Sequence, residues 1–230
     1  MRGPTLVLLP GLNNSRTVFD GVVAALDPAI DARAIDLPPL ASVEAIADAV
    51  LADLPEPFHL CGFSFGGYVA LAMLARAPER IAGLALVGSL PAADSEAARE
   101  NRSRAIETAQ AGGYEAMVQA NASAAFHPES LKDEAIMARR AAMVVDYGPD
   151  RFIAHSRAAM TRPDRTATLT GYAGPVLMLA GECDPLAPRE RMEALVGAHR
   201  AHVVPGAGHL LPLEQPAATA ALLSGWLRTA

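Results

Sequence analysis

The sequence predicts an α/β fold: a mostly parallel sheet of about six strands, helices on both faces, and a helical insertion before the fifth strand. Three observations predict it. Short apolar runs alternate with helical patterns, which implies crossover connections between parallel strands. The strand candidates are near-continuously apolar, as strands buried on both faces are. One stretch, from about Pro91 to Leu169, carries no convincing strand.

In chain order, the first strand is TLVLLP (Thr5 to Pro10), followed by a helix over about Arg16 to Leu26. DARAID (Asp31 to Asp36) is the second strand, with a helix over Val43 to Leu54 after it. FHLCGF (Phe58 to Phe63) runs into a helix over Phe65 to Ala77, and IAGLALVGS (Ile81 to Ser89) is the fourth strand. The insertion is helical in composition. Starts are expected near Asp94 and Pro128, and breaks at Gly112-Gly113, His127-Pro128 and Gly148-Pro149, giving three or four helices. Then come PVLMLAG (Pro175 to Gly181), a helix over Pro188 to Val196, RAHVVPG (Arg200 to Gly206) and a helix over Pro216 to Leu227. The expected organisation is a core of residues 1–90 and 170–230, with residues 91–169 as a helical cap. No internal repeat or low-complexity tract is visible.

Bulk properties narrow the class. A chain of 230 residues with 51% apolar and 19% charged residues can bury a large core. A net charge of −6, without any block of like charge, argues against nucleic acid or an anionic membrane as a main partner. The apolar runs are far short of a membrane span. MRGPTLVLLPGL has a superficial likeness to a signal peptide, but its apolar part is short and no cleavage site follows, so it reads as mature sequence entering a strand. A cytoplasmic monomer or homodimer acting on a small molecule is expected. Cys61 reads as a small buried residue and Cys183 as a loop residue; their strands are expected to be separated by one other, beyond disulfide reach.

Between the third strand and its helix stands Ser64, fenced by Gly62, Gly66 and Gly67. GFSFG fits G-x-S-x-G, a strained turn that projects a serine hydroxyl into the crevice at the carboxyl ends of the strands. The helix that follows points its N-terminus at the same place, favouring negative charge. A serine hydroxyl needs a base and a group to orient that base. ECDPLAP places Asp184 after the fifth strand, and GAGHLLPLEQP places His209 after the sixth. The order Ser, Asp, His, with each at a carboxyl end, suits a nucleophile, an orienting acid and a general base. LLPGLNNS follows the first strand at the same edge. The N–H groups of Leu12 and Phe65 are the candidate oxyanion donors. The Asn13 and Asn14 side chains are read as caps for the next helix. Asp94, just after a strand, is weighed as a substitute acid and set behind Asp184, because it also suits a helix N-cap.

These stretches, LLPGLNNS, GFSFGG, RPDRTATL, GECDPLAP and GAGHLLPLEQP, occur in order over almost the whole chain. They resemble the α/β-hydrolase superfamily, in its cap-bearing branch of small serine esterases. The resemblance implies an eight-stranded sheet, a helical cap, Ser64, Asp184 and His209 as a catalytic triad, and Leu12 and Phe65 as oxyanion donors. Two departures stand out. The family usually has two strands before the one that leads to the oxyanion loop, so a truncated sheet of about six strands is expected here, with the strand around Ala34 as an edge. The family often reads His-Gly where this chain has Pro10-Gly11, and proline brings no donor.

Other classes fit less well. GFSFGG lacks the G-x-G-x-x-G spacing of a dinucleotide site. His59, His127, His155, His199, His202 and His209 form no metal-ligand motif, so neither metal nor cofactor is expected. Ser64 speaks against relatives with an aspartate nucleophile. The expected activity is hydrolysis of a carboxylic ester, lactone or thioester through an acyl-enzyme. Carbon–carbon bond hydrolysis, acyl transfer and a non-catalytic small-ligand receptor remain alternatives on the same scaffold. Specificity is expected in the cap, with Met117, Phe126, Met143 and Met160 as candidate wall residues or, alternatively, as cap core.

Overall fold

The computed structural model describes residues 3–54 and 57–229; Met1 and Arg2, which open the signal-like stretch, lie outside them. Six strands form one sheet: β1 (Thr5–Leu9), β2 (Asp31–Ala34), β3 (Phe58–Phe63), β4 (Ile81–Val87), β5 (Val176–Gly181) and β6 (Ala201–Val204). Their order is β2-β1-β3-β4-β5-β6, and every pairing is parallel. The helices before the insertion are α1 (Asp20–Ala25), α2 (Val43–Ala52) and α3 (Phe65–Arg76). Between β4 and β5 come α4 (Glu96–Gln110), α5 (Tyr114–Ala120), α6 (Ala122–Ala125), α7 (Glu134–Thr161) and α8 (Thr166–Thr170). The chain finishes with α9 (Arg189–Val196), α10 (Leu211–Glu214) and α11 (Pro216–Leu227).

Strand periodicity sorts the core into two layers. Leu6 and Leu8 of β1 pack with Phe63, Val87 and Leu179 on one face, under Val22 of α1 and Leu223 of α11. Val7 and Leu9 pack with Leu60, Leu84 and Met178 on the other, under Ile46 of α2, Val69 of α3 and Met192 of α9. Each such fully buried Leu or Phe contributes about 1.5–3 kcal/mol. β2 is the expected edge, and its exposed Asp31 and Arg33 pair at 2.7 Å. Charge on an edge strand discourages a further strand from adding.

The topology places a crevice. β1 leads through α1 outward to β2, and α2 then carries the chain back to β3 on the other side of β1. The carboxyl ends of β1 and β3 therefore adjoin where strand order reverses, the place at which open α/β sheets bind ligands.

Several boundaries differ from expectation. The helix over Arg16 to Leu26 divides into a 3₁₀ turn (Arg16–Phe19) and α1, which lets the adjacent Val18 and Phe19 both enter the core. In the insertion, the N-cap of α4 is one residue later than Asp94: the Ser95 hydroxyl caps the helix by accepting from the Ala98 N–H at 3.2 Å. The start expected at Pro128 moves to Asp133, whose carboxylate accepts from the N–H groups of Ala135 and Ile136. The break at Gly148-Pro149 is a kink within α7, with Gly148 at φ 72°, ψ 164°. No helix among the described residues is long and apolar enough to cross a membrane.

Cys61 is buried in β3, where burial pushes its thiol up to about 12, whereas Cys183 is exposed beyond β5. β4 lies between their strands, and both thiols are free.

Candidate active site

Ser64 ends β3 and begins α3 at φ 51°, ψ −115°. Asn13 at φ 60° is the other non-glycine residue with positive φ among the described residues. Both strained positions adjoin one cavity, as held strain often does at a site. The Ser64 backbone is fixed on both sides: its N–H donates to the Val87 carbonyl at 2.8 Å, and its carbonyl accepts from Gly67 N–H and from Ser89 Oγ, each at 2.9 Å. The turn is closed tightly on β1. A Cβ at Gly66 would stand 2.2 Å from the Leu9 carbonyl oxygen, so no larger residue fits there.

Three side chains line up. The Ser64 hydroxyl donates to His209 Nε2 at 2.9 Å. His209 Nδ1–H in turn donates to Asp184 Oδ2 at 3.0 Å, since an ionised carboxylate only accepts. The second Asp184 oxygen accepts from the Leu186 N–H at 2.8 Å. Burial alone would raise the Asp184 carboxyl. The His209 hydrogen bond and charge, with the Leu186 and Ala187 N–H groups, outweigh burial and hold it below the usual carboxylate value. The sequence thus brings Ser64, Asp184 and His209 together from three loops of the same sheet edge.

The His209 loop is held from outside the sheet as well. Its N–H donates to the Ala125 carbonyl of the insertion at 2.7 Å. The buried Glu214 carboxylate accepts from Gly208 N–H at 3.0 Å and from His127 N–H at 2.8 Å, tying the loop to the insertion. Gly88 (φ +55°) makes a further close approach: a Cβ there would stand 2.9 Å from Asp184 Oδ2 and 3.1 Å from the imidazole.

The Leu12 and Phe65 N–H groups have no hydrogen-bond acceptor among the described residues, and both residues line the cavity with Ser64. The neighbouring asparagines do not cap the next helix. Asn14 Nδ2 donates to the Leu12 carbonyl at 2.7 Å, and Asn13 Oδ1 accepts from Tyr114 Oη at 3.1 Å. Arg140 Nη1 donates to the Asn13 carbonyl at 2.5 Å and to Asn14 Oδ1 at 2.8 Å. The asparagines stabilise the loop itself, and α5 and α7 grip it.

The cavity measures about 470 Å³. Its floor is Ser64, Phe65 and His209, and Met117, Phe126 and Arg140 stand among its upper walls. Met143 and Met160 do not line it. Met143 is buried in the apolar cluster that holds Phe126 and Leu179, and Met160 is half-buried on the second run of α7. Asp94 is neither the N-cap nor a partner of His209. Its buried carboxylate is bound by Arg102 Nε at 2.7 Å and Arg162 Nη1 at 2.6 Å. Burial raises it, but the two guanidiniums more than offset that and leave it below its ordinary value.

Sequence reasoning passed over Arg140, Glu214, Gly88 and Ser156. Ser156 is fully buried, lines the cavity, and its hydroxyl has no partner among the described residues. Glu214 stands in the GAGHLLPLEQP stretch, five residues after His209, and that spacing is a sequence signal. Arg140 and Ser156 carry none, because their roles depend on how α7 packs.

The alpha/beta hydrolase family model matches residues 6–222. The chain belongs to this family. Among curated relatives in it, the pimeloyl-[acyl-carrier protein] methyl ester esterase of Nitrosomonas europaea is 36% identical over 97 residues, 39% of this chain and 38% of that protein. The biotin biosynthesis bifunctional protein BioHC of Cellvibrio japonicus is 26% identical over 94% of this chain and 46% of its own length. The matches thus span less than half the length of these relatives. Among solved structures, a thermophilic esterase from Thermogutta terrifontis, malate bound, superimposes with a TM-score of 0.90 at 28% identity, over 99% of this chain and 90% of that one. The enol-lactonase of Burkholderia xenovorans LB400 shares the fold, with a TM-score of 0.86 at 21% identity over 99% and 92%. The hydrolase fold expected from the motifs is thereby established, as a parallel sheet of six strands among the described residues.

Proposed function

We propose that this chain is a serine hydrolase of carboxylic esters that works through an acyl-enzyme. The observation that carries this reading is the hydrogen-bonded series from Ser64 Oγ through His209 to Asp184, at 2.9 and 3.0 Å. As the hydroxyl attacks the ester carbonyl, Nε2 of His209 takes its proton. The C–O π electrons move to the carbonyl oxygen, which the Leu12 and Phe65 N–H groups receive. Their lack of protein acceptors supports that role. Collapse of the tetrahedral adduct expels the alcohol, which leaves with the proton from His209. Water then repeats the sequence on the acyl-enzyme, releasing the acid and restoring Ser64. Asp184, held ionised, keeps Nδ1 protonated and stabilises the imidazolium in each half.

Relatives named as methyl ester esterases support an oxygen ester as the bond. A cavity with Phe65, Met117 and Phe126 in its walls suits a partly apolar acyl group. Residues 91–169 act as the cap, since α4, α5 and α7 supply wall residues facing Ser64. The test is a fluorophosphonate probe together with a panel of 4-nitrophenyl esters. Ser64 is expected to be labelled, and Ser64→Ala to fold normally while losing 10⁴- to 10⁶-fold in kcat, an order-of-magnitude figure from comparable triads. Activity within about tenfold of wild type in Ser64→Ala would sink the mechanism.

A further inference from the structure

Two arginines are buried among the described residues, and they are held in opposite ways. Arg162 is 9% exposed and pairs with the Asp94 carboxylate at 2.6 Å. Arg140 is 8% exposed and has no acidic partner among the described residues. Its acceptors are the neutral Asn13 carbonyl and Asn14 amide oxygen, both served by Nη1. Its Nε and Nη2 donors have no acceptor among the described residues, yet neither atom is sealed from solvent. Glu115 of α5 shares an outer groove with Arg140 but forms no ion pair with it. Tyr114 and Tyr147 are the ionisable groups that bear on the guanidinium electrostatically, and burial keeps both phenols neutral by raising them well above their usual value. Burial also lowers Arg140 to about 10, which leaves it a cation at neutral pH.

A buried charge held only by neutral acceptors is costly. This one lines the cavity that contains Ser64. We propose that Arg140 is an anion subsite, and that preferred substrates are esters whose acyl part ends in a carboxylate. The inference rests on the esterase reading for the reacting end of the substrate. Three directions leave the tetrahedral carbon: the oxyanion toward Leu12 and Phe65, the leaving oxygen toward His209, and the acyl chain. Arg140 is fastened to the Leu12–Asn14 loop and not to the His209 loop, which puts it on the acyl side. It grips the carbonyl of Asn13, one residue beyond Leu12, so roughly 5–8 Å separates the bound carbonyl from the guanidinium. A short methylene chain spans that distance. The free edge of the guanidinium, Nε and Nη2, is the one that receives a carboxylate bidentately.

The experiment compares mono-4-nitrophenyl adipate with the matching ester of adipamic acid, whose chain ends in a neutral carboxamide of the same shape. Wild-type protein is expected to favour the carboxylate in kcat/KM by about tenfold or more, the scale of a charge-assisted hydrogen bond. In Arg140→Gln the ratio should fall to near one or below, and Arg140→Lys should keep part of it. Losses common to both esters report the grip on Asn13 and cancel in the ratio. A wild-type ratio at or below one overturns the subsite, as does a ratio that Arg140→Gln leaves unchanged. Should Arg140→Gln fail to fold, the wild-type ratio and the Arg140→Lys ratio decide. Calorimetric titration of adipate into Ser64→Ala separates this proposal from the hydrolase reading. If neither ester is turned over and Ser64 resists the fluorophosphonate, the hydrolase reading falls. Adipate binding that disappears in Ser64→Ala/Arg140→Gln then still supports the subsite, and no binding refutes it.

Discussion

The floor of the cavity and its roof are held in place by different forces. The floor is backbone set by the sheet: Ser64 and Asp184 stand just beyond strands that are almost completely buried, and His209 follows the half-buried edge strand β6. The roof has a small cluster of its own, Ala109, Tyr114, Val144, Tyr147 and Phe152. It joins the rest through a few polar links, His155 Nε2 to the Pro38 carbonyl at 2.8 Å, Arg165 to Glu44 at 2.8 Å, Arg140 to Asn13, and the Ala125 carbonyl to the His209 N–H, and through Phe126, Met143, Ala158 and Ala159, which enter the core layers of the sheet. The triad loops thus rest on the packed sheet, while the roof over them is joined by a few apolar side chains and a few hydrogen bonds.

The sharpest way to break this comparison is through its two buried aspartates. Asp184→Asn is expected to lower kcat on the order of 10⁴-fold, about 5 kcal/mol, because the wrong imidazole tautomer then faces Ser64. Its melting temperature should change little by comparison. Asp94→Asn should do the reverse. It leaves Arg162 and Arg102 without their carboxylate, and breaking a buried pair costs about 3–5 kcal/mol of stability. The folded fraction of Asp94→Asn should still react with the small fluorophosphonate. Denaturant unfolding and probe labelling of both variants check this; loss of labelling in folded Asp94→Asn would mean that the roof also assembles the floor.

The same contrast explains what could be read in advance. The strands β1 and β3 to β6, the serine elbow and the His209 loop are written locally, as apolar runs ending in glycine-rich turns. That patterning follows from backbone geometry, so position in the chain predicts position in space. The roof has no such rule. Arg140 meets Asn13 across 127 residues and His155 meets Pro38 across 117. Asp94 looked like a helix cap because Ser95, its neighbour, is one, and its real partner Arg162 lies 68 residues away. Methionines in the insertion read alike in sequence, whereas α5 turns Met117 into the cavity and α7 turns Met143 into the apolar cluster around Phe126 and Leu179.

A titration probes the link between the two regions next. His155 is 1% exposed, stacked on Phe65 at 4.7 Å between ring centres, and bonded to Tyr147 Oη and the Pro38 carbonyl. Burial lowers it from 6.5 to about 4. In that interval the unfolded chain binds a proton that the folded chain does not, so stability is complete above about pH 6.5 and declines as pH falls toward 4. The full decline is about 3 kcal/mol, an order-of-magnitude figure. Unfolding measured from pH 7 to 4 should show it, and His155→Gln, although less stable at pH 7, should give a flatter profile. A parallel decline in both proteins would assign the acid sensitivity to other groups.

The smallest expected effect belongs to the roof's apolar wall. Met117 is half-buried on α5 and Phe126 nearly buried beyond α6; both border the cavity. Met143 and Met160 do not, although all four share the insertion. Removing a wall side chain enlarges the space for an acyl chain by a few methylenes, and each methylene in an apolar pocket discriminates by about 1–3 kcal/mol at most. Met117→Ala and Phe126→Leu should therefore move the ratio of kcat/KM for 4-nitrophenyl octanoate over butyrate by about tenfold. Met143→Leu and Met160→Leu should leave that ratio within about twofold, because a volume-conserving change away from the wall alters only stability, by under about 1.5 kcal/mol. The fluorophosphonate rate should hold in all four, since the small probe needs only the floor. If Met143→Leu shifts the ratio as far as Met117→Ala does, packing beneath the roof sets specificity through the shape of α7, and the apolar contact of roof and floor reaches the cavity wall.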